Sequence, residues 1–145
     1  MLYDKENLFS ENQAITADAA STNIIDLAKG QLKEVAFGTP IPLRIQVSED
    51  FTVTGTVTVE VKVQTDDNTS FSSPTTLATS GAVSSSTLKA GYVIPINYIP
   101  KGNDRYMRLY YDVTISSGGS ITAGKFFAGI VAGNEGSWQD RKSVV

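Results

Sequence analysis

Carboxylates, lysines, tyrosines and hydroxyls are the chemistry-bearing side chains of this chain, because its 145 residues include no histidine and no cysteine. That excludes Ser-His and Cys-His nucleophile pairs, imidazole and thiolate metal ligands, disulfides and thiol redox chemistry. Among the carboxylates, Asp66-Asp67-Asn68 offers oxygen ligands of the kind calcium takes. Its spacing matches no calcium loop, and the same residues cap turns through their own side chains, so a strand-connecting turn is the favoured reading. Glu60 and Asp112 are candidates for paired acid/base work, yet each falls on the polar phase of an alternating strand, where a charged residue is expected anyway. Lys62, Lys89 and Lys125 read as surface lysines. Gly118-Gly119 fits a turn rather than a phosphate loop. No catalytic residue, metal ligand or cofactor site is assigned, and the chain is not expected to be an enzyme.

Aromatic residues leave the more open alternatives. Tyr106 and Tyr110 share one strand face with Arg108 between them, and Tyr111 faces the other way. Such a face serves as ordinary strand packing, as a protein interface rich in Tyr and Arg, or as a platform for a sugar ring. Trp138, the single tryptophan, lies in a glycine-containing polar stretch near the C-terminus, where it reads either as an interface anchor or as a side chain docked on its own domain.

The elements that carry these residues are strands. Val57, Val59, Val61 and Val63 alternate with Thr58, Glu60, Lys62 and Gln64, which defines a half-buried strand. A turn at 66–70 leads to a weaker strand, Phe71 to Leu77, interrupted by Pro74 and therefore expected at an edge. Tyr92, Ile94, Ile96 and Tyr98 alternate with Val93, Pro95, Asn97 and Ile99 as another edge strand, followed by a turn over 100–104. From Arg105 the alternation places Met107, Leu109, Tyr111, Val113 and Ile115 inward, and Ser116 to Ser120 is expected to form a hairpin turn into Ile121–Val131. Earlier strands are expected at Thr22–Leu27 and Ile41–Val47, with a helical turn or a loop over 28–34. Phe51 to Thr54 either starts the valine strand or forms a separate turn.

Seven to nine strands without a helical period imply an all-β fold, a single antiparallel β-sandwich of jelly-roll type. The expected organisation is an N-terminal arm over 1–20, the sandwich over 21–132 and a C-terminal tail over 133–145. Twelve basic against fifteen acidic residues give a net charge of −3, which offers no phosphate-binding stripe. No stretch has the roughly 20 apolar residues of a membrane helix, and the N-terminus shows no signal-peptide pattern. Neither nucleic acid, nor a membrane, nor a small-molecule substrate is an expected partner.

Several phrases occur in a recognisable order. The run Leu8-Phe9-Ser10-Glu11-Asn12-Gln13-Ala14-Ile15-Thr16 continues through Ala19-Ala20-Ser21-Thr22-Asn23-Ile24-Ile25-Asp26-Leu27. Gly38-Thr39-Pro40-Ile41-Pro42, Val63-Gln64-Thr65 with Phe71-Ser72-Ser73-Pro74, Arg105 to Tyr111, and Ile121-Thr122-Ala123-Gly124 follow. Their co-linearity resembles a family of tailed-phage capsid cement proteins. The resemblance implies a structural virion protein on the outer surface of a phage head, made in the host cytoplasm, that bridges and stabilises major capsid protein subunits as a homo-oligomer, dimer or trimer. Under that reading the two ends supply much of the bridging, and Phe9, Gln13, Ile15, Tyr106, Arg108, Tyr110, Trp138 and Arg141 are the expected protein contacts. The rival is a carbohydrate-binding or adhesin-type β-sandwich using Tyr106, Tyr110 and an ion near Asp66.

Overall fold

The computed structural model describes residues 3–27, 40–102 and 104–132. Within them the chain is all-β, with eight strands: β1 (Tyr3–Ala14), β2 (Ala19–Ala20), β3 (Ile25–Asp26), β4 (Leu43–Thr54), β5 (Val57–Asp66), β6 (Thr75–Ser84), β7 (Tyr106–Ile115) and β8 (Ser120–Val131). Among the described residues no helix is long and apolar enough to cross a membrane. The strands form two antiparallel sheets. One has the order β1-β8-β4, and the other β2-β7-β5-β6 with β3 also paired to β7.

Alternation explains the sandwich. Val57, Val59, Val61 and Val63 of β5 and Met107, Leu109 and Tyr111 of β7 point inward from one sheet. Leu43, Ile45 and Val47 of β4 and Phe126 and Ala128 of β8 point inward from the other. The two rows meet in one apolar core. There Tyr111 stacks on Phe126 with ring centroids 4.9 Å apart, and Phe51 tilts against Phe126 at 5.4 Å. Aromatic pairs at these separations add stabilisation beyond their buried area.

The two central ladders are one ribbon. β4 pairs with β8 from Leu43↔Ile130 to Thr54↔Ser120, and β5 pairs with β7 from Val57↔Ile115 to Asp66↔Tyr106. Both strands of this ribbon change sheet at the same corner, through Gly55-Thr56 and through Ser116–Gly119. The Thr56 N–H donates to Ser116 Oγ at 2.9 Å, Ser116 N–H donates to Thr56 O at 2.9 Å, and Thr54 Oγ1 lies 2.9 Å from Ser120 Oγ. The expected hairpin between β7 and β8 is therefore a crossover between sheets. The turn itself forms with Gly118 at φ +77, but a positive-φ turn does not tell which sheet the next strand joins. Phe51 to Thr54 ends β4 and belongs to neither alternative proposed for it.

Three other expectations change. The strand after the 66–70 turn starts beyond Pro74 and runs to Ser84, so proline precedes it instead of interrupting it; it is an edge, as expected. Residues 92–99 form no regular strand. They follow the open side of β4 through isolated bridges at Gln46↔Val93 and Pro42↔Tyr98 and bonds such as Ile94 N–H to Ile45 O at 2.8 Å. An Ile96 N–H to Ile94 O bond at 2.8 Å kinks the chain around Pro95. Alternation is lost there, so Ile94, Ile96 and Ile99 are buried while Tyr98 is 53% exposed. Finally, the segment expected as an arm is β1, paired along β8 with three register shifts. The 28–34 segment lies outside the described residues.

Candidate functional site

The outward rows of β5 and β7 make the most functional-looking surface of the described chain. Register brings Gln64 opposite Arg108, Lys62 opposite Tyr110 and Glu60 opposite Asp112. Arg108 is held on three sides. Its Nε–H donates to Gln64 Oε1 at 3.0 Å, and its guanidinium carbon lies 4.2 Å from the Phe71 ring centroid and 5.4 Å from that of Tyr110. Phe71 reaches this position because the turn after β5 gives it a φ of +49°, and its side chain is buried. Partial burial lowers the Arg108 pKa, with Tyr110 and Asp66 opposing the shift; an arginine remains charged regardless.

Neighbouring charges are paired. Arg105 donates from Nε and Nη2 to the two Asp26 oxygens at 3.0 and 2.9 Å, which pins β3 beside β7, and lies 5.0 Å over the Tyr106 ring. Lys62 Nζ is 2.5 Å from Asp112 Oδ2 and 3.7 Å from Glu60 Oε2. The hydrogen bond to Asp112 raises the Lys62 pKa, partly against desolvation, so this amine is held protonated. Thr79 donates to Glu60 from β6.

The Asp66 turn is closed by its own polar groups. Asp66 Oδ1 accepts from Asn68 N–H at 3.2 Å and Asn68 Nδ2 at 2.9 Å, and Oδ2 accepts from Ser73 N–H at 2.9 Å. This is the expected turn, its carboxylate oxygens accepting from Asn68 and Ser73. Among the described residues no cluster of three acidic groups is arranged for a metal. A shallow depression of about 360 Å³, lined by Phe51, Thr52, Val53, Ser85, Ser86 and Lys89, is open to solvent.

Of the expected contact residues, Tyr106, Arg108 and Tyr110 come together on the outer face of β7, each half-buried. Phe9 and Ile15 do not. Both are fully buried in the chain's own core, because β1 adds to the sheet and turns them inward. Gln13 is a structural tie: its Nε2 donates to Ala20 O at 2.8 Å, and its Oε1 accepts from Ser10 Oγ at 2.7 Å and Thr22 N–H at 3.0 Å. Trp138 and Arg141 lie outside the described residues. Sequence reasoning missed Phe71 and Gln64 as parts of the Arg108 setting. Gln64 carried the signal of being on the wet phase of β5, but only the β5/β7 register places it against Arg108.

No curated protein matches this chain. Residues 9–130 match the family model described as Bbp16, a span that begins within β1 and ends one residue short of the end of β8. With most of its length covered by that match, the chain belongs to the Bbp16 family.

Proposed function

We propose that this chain is a structural virion protein, a capsid cement protein that binds the outside of a phage head and bridges major capsid protein subunits. The resemblance of its ordered sequence phrases to cement proteins motivates the reading. The observation that carries it is the outer face of β7, where Tyr106, Arg108 and Tyr110 form a half-buried Tyr/Arg patch of the composition that protein interfaces favour. The reading is not enzymatic: the Lys62 amine is held charged and the Tyr111 phenol is sealed in the core. A jelly-roll topology is part of the proposal, and the long antiparallel ribbon folded across one corner supports it. On a head many copies act together, so modest contacts per copy suffice, and self-association as a dimer or trimer is proposed with it.

Mixing the purified protein with undecorated heads tests the reading. Co-sedimentation and a rise in the disruption temperature of the heads are expected. A chain that stays in the supernatant and leaves the heads unchanged would overturn it, and a positive glycan array would favour the carbohydrate-binding rival instead.

A further inference from the structure

We infer that Arg108 is a preorganised receptor for a carboxylate, an aspartate or glutamate side chain of a partner protein. Among the described residues of this face, the other cations are neutralised: Arg105 is paired with Asp26, and Lys62 with Asp112 and Glu60. Among the described residues Arg108 is bonded only through Nε, to the neutral Gln64 amide. Asp66 is near enough to influence it, yet the Asp66 oxygens accept from Asn68 and Ser73 and form no ion pair with it. The terminal amines of Arg108 therefore remain for a ligand.

Charge complementarity names the occupant. A planar guanidinium offers parallel N–H donors that match a carboxylate bidentately. Phe71 and Tyr110 already restrict the guanidinium, and Gln64 fixes its ε edge, so little side-chain freedom is lost on docking. Partial desolvation strengthens a charged contact relative to an exposed arginine. Arg44 supplies the internal comparison: its Nε also donates to a glutamine, Gln46 Oε1 at 3.1 Å, but on the other sheet. No cation-π contact holds it among the described residues.

The inference rests on the capsid-binding reading only for the partner's identity, and two measurements keep them apart. The first is binding of wild type, Arg108→Lys, Arg108→Gln and Arg44→Lys to undecorated heads. Melting curves identify which Arg108 variant is folded, and the lysine variant serves if the glutamine one is not. The second is a titration of isotope-labelled wild type with hexaglutamate or hexaglutamine peptide, read at the Arg108 Nε–Hε resonance. Wild type and Arg44→Lys are expected to bind heads alike, with the Arg108 variants weaker by about tenfold or more. Equal binding by a folded Arg108 variant, or an equal loss in Arg44→Lys, overturns the inference. If wild type itself fails to bind heads, the capsid reading falls and the peptides decide. A response selective for hexaglutamate then sustains the carboxylate receptor, and an equal or absent response overturns it.

Discussion

The hydroxyls of Ser10 and Tyr111 lie 2.8 Å apart inside the protein, joining β1 of one sheet to β7 of the other. Ser10 Oγ donates to Gln13 Oε1 at 2.7 Å, so the Tyr111 phenol is the donor of the pair. The bond therefore begins a relay from Tyr111 through Ser10 to Gln13, whose amide also engages Ala20 and Thr22. Through it a polar chain secures the N-terminal strand against an apolar core. Two substitutions separate its parts. Tyr111→Phe leaves Ser10 bonded to Gln13 and is expected to cost about 1 kcal/mol, whereas Ser10→Ala strands a buried phenol donor and is expected to cost about 1–3 kcal/mol. Urea unfolding of both variants measures the difference, and a larger loss in Tyr111→Phe would contradict the assigned donor direction.

The same phenol gives the protein an alkaline limit. Burial pushes the Tyr111 pKa well above its ordinary value. In the unfolded chain the phenol loses its proton near pH ~10, while in the folded chain it keeps it. The stabilisation is complete below that pH and is lost as pH rises towards the folded value. The unfolding free energy is expected to fall above pH ~10 by up to about 1.4 kcal/mol per pH unit for this one group. Lys62, also raised, acts in the same direction, but it keeps solvent access and is screened by salt. Denaturation curves at increasing pH in high salt therefore isolate Tyr111, and Tyr111→Phe should flatten the slope.

The alternating strands were legible because their burial is local in cause: each valine of 57–63 faces the core for the same reason that Lys62 and Gln64 do not. What lay beyond the sequence was set by partners far along the chain. Residues 3–14 are polar enough to read as an arm, yet β8 offers them an edge, and Phe9 and Ile15 then fill the core. Gly118 announced a turn, but the ribbon's other strand, bending at Gly55, decided that the turn would cross between sheets. Tyr106, Arg108 and Tyr110 were legible as one face from their spacing. The stacking of Arg108 on Phe71 was not, since it depends on the fold of the turn after Asp66.

The Lys62–Asp112 pair is short, at 2.5 Å, but both side chains keep solvent access. Exposed pairs contribute little, because screening and side-chain entropy offset the attraction. Asp112→Asn is expected to change stability by less than about 1 kcal/mol and to leave the fold intact. Thermal melting in low and high salt checks this. A loss of several kcal/mol would mean that the outer face of β5 and β7 is braced by charge rather than by the valines beneath it.

Gly124 is a position where a small added volume should do harm. It sits in β8 with φ +148, and a Cβ placed on it would lie 2.6 Å from the Phe51 ring. Phe51 is buried and packed on Phe126, which in turn stacks on Tyr111, so moving it disturbs that cluster. The strand bend also serves β1, because Ile15 N–H donates to Gly124 O at 3.1 Å. Gly124→Ala is therefore expected to combine backbone strain with overpacking, the latter alone costing about 1–3 kcal/mol. Gly118 is the comparison: its φ is +77 but a Cβ there meets open space. Gly118→Ala should cost only the left-handed backbone penalty of about 1–2 kcal/mol. Urea unfolding of the two variants should rank Gly124→Ala as the less stable. Equal losses would show that the Phe51, Phe126 and Tyr111 cluster yields to an added methyl group, and that backbone conformation alone requires glycine at position 124.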